Sequence, residues 1–83
     1  MNDQTNRRIE ELANEIAREA RARRPGFKLE RLEWDGTTAK LTFRLAGAFR
    51  VEVLVDFAEL QTDEFIRNEI RSQLRGIVPG FGS

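Results

Sequence analysis

Residues 31–55, RLEWDGTTAKLTFRLAGAFRVEVLV, hold two runs of strict alternation joined by turn residues, and their reading decides the fold. From Ala39 to Leu45, the apolar Ala39, Leu41, Phe43 and Leu45 share one parity and Lys40, Thr42 and Arg44 the other. From Phe49 to Val55, Phe49, Val51, Val53 and Val55 alternate with Arg50, Glu52 and Leu54. A period of two with turn residues at each end marks strands that bury one face. Asp35-Gly36 is a two-residue hairpin signal. It predicts Trp34 opposite Thr37, Leu32 opposite Ala39 and Arg31 opposite Lys40. Ala46-Gly47-Ala48 then sets Leu45 opposite Phe49, Phe43 opposite Val51 and Arg44 opposite Arg50. Directly opposed residues share a face, so Leu32, Trp34, Leu41 and Phe43 are predicted to enter the core together.

The strand before this pair, Phe27 to Trp34, changes phase, because Phe27 and Leu29 have one parity and Leu32 and Trp34 the other. A β-bulge near Glu30-Arg31 turns both sets inward. Upstream, Ile9, Leu12, Ala13, Ile16, Ala17 and Ala20 recur at helical spacing and predict a helix from about Thr5 to Arg23, capped by Thr5 or Asn6 and stopped by Pro25-Gly26. Downstream, Ile66, Ile70, Leu74 and Ile77 form one stripe. Phe57 and Leu60 lie half a turn out of phase with it, which predicts a short turn at Phe57–Leu60 and then a helix capped by Thr62 that Gly76 ends. Asp63 and Glu64 suit the positive end of that helix.

The expected fold is α+β, a two-layer α-β-β-β-α unit. It has a three-stranded antiparallel meander and two roughly parallel helices packed on one face. Residues 1–76 form the expected single domain and residues 77–83 a C-terminal tail. The order is shared with double-stranded-RNA-binding domains. Their second helix opens on a lysine-rich phosphate clamp, whereas this one opens Thr62-Asp63-Glu64, which repels phosphate, so the order alone assigns no family.

Eighty-three residues leave room for one core, and a chain of this size buries only about 60–65% of its unfolded surface. There is no cysteine to staple it. The formal net charge is zero, which argues against bulk, non-specific nucleic-acid binding. No apolar run reaches membrane-span length, and Met1 precedes polar residues rather than the apolar core of a signal peptide, so a cytoplasmic chain is expected.

The chemical inventory is short. The chain has no histidine, cysteine or tyrosine, and its serines are Ser72 and Ser83. No nucleophile stands beside a base and an orienting group, so no enzyme is expected. No metal or cofactor is expected either, since thiolate and imidazole ligands are missing, acids are not clustered on loops and no phosphate-binding glycine loop precedes a helix. No small-molecule substrate is identified. Glu11, Glu15 and Glu19 form a ladder on the first helix, and Arg67, Arg71 and Arg75 a matching ridge on the second. Parallel helices set these side by side, where they pair as surface ions over part of their length and leave the rest to ion pairs or to a charged partner.

The predicted register opposes like charges on the outer sheet face, Arg44 against Arg50 and Arg31 against Lys40, a mildly unfavourable arrangement that Glu33 and Glu52 offset only in part. Either the side chains splay and bridge diagonally to those glutamates, or the face suits an anionic partner. Leu54 on that face, Phe65 off the apolar helix stripe and Phe81 in the tail are apolar residues with no place in the core. The third strand is the less defended sheet edge. Together these point to a non-catalytic protein-binding module: an adaptor, inhibitor or small assembly subunit that contacts another protein or a second copy of itself. The candidate contacts are Arg31, Lys40, Arg44, Arg50, Leu54, Phe65 and Phe81. The alternative is a nucleic-acid-binding domain using the outer-face arginines and the end of the first helix.

Overall fold

A computed structural model describes residues 3–81, the side chains of Asp3 and Glu59 excepted. The order is α1 (Asp3–Ala20), β1 (Lys28–Trp34), β2 (Thr38–Arg44), β3 (Arg50–Asp56), a 3₁₀ turn (Ala58–Leu60) and α2 (Asp63–Ile77). The strands form one antiparallel sheet in the order β1-β2-β3. Both helices cover the same face, and one cluster fills the space between the layers: Ile9, Ile16, Leu41, Phe43, Val53, Val55, Ile66, Ile70 and Leu74 are fully or almost fully buried. Among the described residues no helix is long and apolar enough to cross a membrane.

α1 begins before the predicted cap. Thr5 and Asn6 are helical, and Thr5 is buried because it continues the stripe of Ile9, Leu12 and Ile16. At the other end the hydrogen bonding tightens, with Arg23 N–H donating to the Ala20 carbonyl, and Gly26 takes φ +96°. Phe27 then drops into the core with no exposed surface.

The first hairpin closes one residue later than predicted on each side. The observed pairs are Trp34–Ala39, Leu32–Leu41 and Glu33–Lys40, and Arg31 faces Thr42 rather than Lys40. The cause is Asp35. Its Oδ1 accepts from the backbone N–H of Thr37 at 2.8 Å and of Thr38 at 2.7 Å, and its own N–H donates to the Thr38 carbonyl. This local turn makes Gly36-Thr37 the loop, with Gly36 at φ +100°. Pair sums therefore change by two, and a shift of two leaves every side chain on its predicted face. Trp34 is only half-buried, because it ends its strand opposite the small Ala39. The bulge falls where the phase change required it, between Leu29 and Arg31, and makes Glu30 the extra residue.

The second hairpin has the predicted register, with Phe43 opposite Val51 and Arg44 opposite Arg50. Phe49, predicted to face inward, is 75% exposed. Burial falls along β3 from Val53 through half-buried Val51 to Phe49, beyond the cover of the helices.

Thr62 caps α2, its Oγ1 accepting from the Phe65 N–H at 3.1 Å. The helix passes through Gly76, where a lone glycine costs only about 1 kcal/mol. It ends at Ile77 because Pro79 follows and Gly80 takes φ +77°. Val78 is buried, and Phe81 packs on Phe27 with ring centroids 5.7 Å apart, while Phe27 packs on Phe43 at 5.5 Å. Arg24 Nη2 donates to the Pro79 carbonyl and ties this segment to the end of α1. Phe81 is thus packed against the core, not free on the surface as the sequence predicts; Gly82 and Ser83 lie outside the described residues.

Candidate functional site

The outer sheet face carries the predicted cations, and the structure sets carboxylates among them. Arg50 crosses β2 to reach Glu30 through two bonds, Nε to Oε2 at 2.6 Å and Nη2 to Oε1 at 3.2 Å. Lys40 lies 3.6 Å from Glu52, and Arg31 lies 3.2 Å from Glu33. Arg44 donates to the Gly47 carbonyl at 3.3 Å. The bulge explains the first pair: an extra residue on β1 delivers a carboxylate to the row where Lys28, Arg44 and Arg50 would otherwise repel. The strain read from the sequence is therefore relieved within the chain.

The same pair sets an acid response. The Arg50 hydrogen bond, aided by the charges of Arg50, Arg44 and Lys28, holds the Glu30 carboxyl below its ordinary 4.5. A carboxyl depressed on folding stabilises the fold fully above its unfolded value. That contribution is lost as pH falls through the depressed folded value. A carboxyl-carbon NMR titration is expected to place Glu30 below 4.5, and Arg50→Ser to move its midpoint back up. A midpoint that ignores Arg50→Ser would mean the pair does not persist in solution.

The other candidates separate. Leu54 projects from the outer face and is 50% exposed. Its backbone N–H donates to Gln73 Oε1 at 3.0 Å, and Gln73 Nε2 donates to its carbonyl. A side-chain amide from α2 thus occupies the backbone groups of Leu54 that face off the sheet edge, where the sequence suggested an open β3. This contact also fixes the roll of α2. Phe65, Glu69, Gln73 and Ile77 step by four and run past the β3 edge, while Arg67, Arg71 and Arg75 turn toward α1.

Phe57, Leu60, Phe65 and Ile77 are exposed, as are Phe49 and Leu54, and all six belong to β3, its flanking loops or α2. Among the described residues α1 and β1 expose no large apolar side chain. Glu52, Asp56 and Glu64 are exposed in the same half, with Glu69 half-buried. Leu54 and Phe65 are the members of this set that the sequence marks as apolar residues outside the core. Phe57 and Leu60 are signalled by their phase mismatch with the α2 stripe.

A groove of about 430 Å³ opens between the C-terminal ends of the helices, lined by four arginines and by Glu19, Ile16, Ala20, Gly80 and Phe81. Among the described residues no group of His, Cys, Asp or Glu is arranged to hold a metal ion. Comparison with known proteins finds no family model, no curated protein and no solved structure that matches this chain.

Proposed function

We propose that this chain is a non-catalytic protein-binding module that docks through the side formed by β3, the 3₁₀ turn and the outer stripe of α2. The observation that carries this reading is that, among the described residues, the exposed large apolar side chains all fall in residues 49–77. Exposed large apolar side chains gathered on one side of a small domain suit a contact site. The charges around it favour one kind of partner. Asp56 and Glu69 lie in this half with Glu52, which Lys40 pairs at 3.6 Å, and Glu64, which Arg67 approaches at 3.8 Å; Arg67 and Arg71 otherwise reach across to α1, and Arg50 is held by Glu30. An apolar segment flanked by lysine or arginine complements that charge. A second copy docking face to face would set acid against acid, and a nucleic acid would meet the same repulsion.

The experiment is capture with the full chain, followed by purification of the captured protein and titration against variants. Leu54→Ser combined with Phe65→Ser is expected to weaken binding at least tenfold, since central apolar contacts dominate interfaces. Arg44→Ser is expected to leave it unchanged. Capture abolished by nuclease, or an affinity indifferent to the double variant, would overturn the reading.

A further inference from the structure

Two ion-pair rungs tie α1 to α2: Glu15 to Arg67 at 2.7 Å and Glu19 to Arg71 at 3.0 Å, each joining residues 52 apart in sequence. One helical step further, the same spacing brings Arg23 to Arg75, with arginine standing where a third glutamate would complete the ladder. Both line the groove between the helix ends, and neither side chain makes an ion pair or hydrogen bond with a described residue. The helix dipoles account for part of this charge. Each C-terminus carries about −0.5 of an elementary charge, so four arginines against Glu19 and two helix ends leave a surplus of roughly two positive charges.

The groove is also shaped. Arg71 is held by Glu19, and Arg24 by the Pro79 carbonyl, so two guanidinium groups are fixed in place. A guanidinium has five N–H donors, and one bond leaves the rest available. The floor is apolar, made by Ile16, Ala20 and the ring of Phe81, which the Phe27 ring holds. The volume, about 430 Å³, suits a small ligand.

We propose that this groove binds a small phosphate monoester with an apolar body. Arg23, in the turn after α1, and Arg75, in the last turn of α2, clamp the dianion, with Arg24 and Arg71 beside them, and Phe81 with Ile16 and Ala20 takes the body. Forked guanidinium groups match phosphate oxygens in paired bonds, which lysine could not reproduce. The site lies on the α1 side of α2, away from the Phe65–Ile77 stripe, so it stands or falls independently of the docking surface.

The test is a titration of the full isotope-labelled chain with phenyl phosphate and, separately, with inorganic phosphate, read by backbone amide NMR. Saturating shifts are expected at residues 20–24, Arg75 and Phe81, with phenyl phosphate at least fivefold tighter than inorganic phosphate. Arg23→Ser with Arg75→Ser, both exposed positions, is expected to keep the fold and weaken phenyl phosphate at least tenfold. Four results would overturn the proposal: no saturating shifts, equal shifts at Lys28, Arg44 and Arg50, inorganic phosphate binding as tightly, or unchanged affinity in the double variant.

Discussion

Phe27→Ala is expected to cost about 3–5 kcal/mol, close to the entire stability of a domain this small. Phe27 has no exposed surface, and its ring lies between those of Phe43 on β2 and Phe81 beyond α2. It therefore joins the sheet, the loop leaving α1 and the chain after α2 in one contact. Truncation removes its buried area and leaves a cavity that three separate segments must close. Urea denaturation followed by circular dichroism measures the loss. Phe81→Ala is the comparison: that ring is half-buried and should cost clearly less. A change below about 1 kcal/mol for Phe27→Ala would contradict the packing described, since loss of a fully buried ring costs at least several times that.

Arg8→Ala is expected to cost about 2 kcal/mol, the range for charge-assisted hydrogen bonds that are partly buried. The Arg8 guanidinium pairs with Asp63 and donates to the carbonyls of Ala58, at 3.3 Å, and Gln61. One side chain on α1 thereby holds the 3₁₀ turn and the first residue of α2. Arg8→Lys should restore the ion pair but not both carbonyl bonds, because an ammonium is a point charge without the planar fork. The expected order of stability is wild type, then Arg8→Lys, then Arg8→Ala. Hydrogen exchange should quicken at residues 57–63 ahead of the sheet. Full recovery by lysine would show that only the charge matters. Uniformly raised exchange would show that Arg8 does not clamp this turn.

The alternation in residues 39–55, with the phase change in residues 27–34, was enough to establish three antiparallel strands, the face of each side chain within them and the position of the bulge, though not the exposure of Phe49 just before β3. A backbone with period two allows no other sorting once one face is buried, and a register error of two residues is invisible to that sorting. The parallel helices follow from an odd number of strands between them, and the Glu15–Arg67 and Glu19–Arg71 pairs follow from helices that run parallel. Thr62 as the α2 cap was equally local.

Other features depended on atoms distant in sequence. Glu30 meets Arg50 across an intervening strand, so a pattern that showed only opposed arginines could not reveal their counter-charge. Gln73 reaches the Leu54 backbone from another layer, which hydropathy does not register, because a single helical glutamine reads as ordinary solvent-facing surface. Phe81 looked like a loose end because burial of a terminal ring depends on whether the fold leaves a space beside Phe27. Local periodicity assigns a residue to a face. Only the packing of one layer on another decides which charges are matched, which edges are covered and where arginines from two helices converge without a partner.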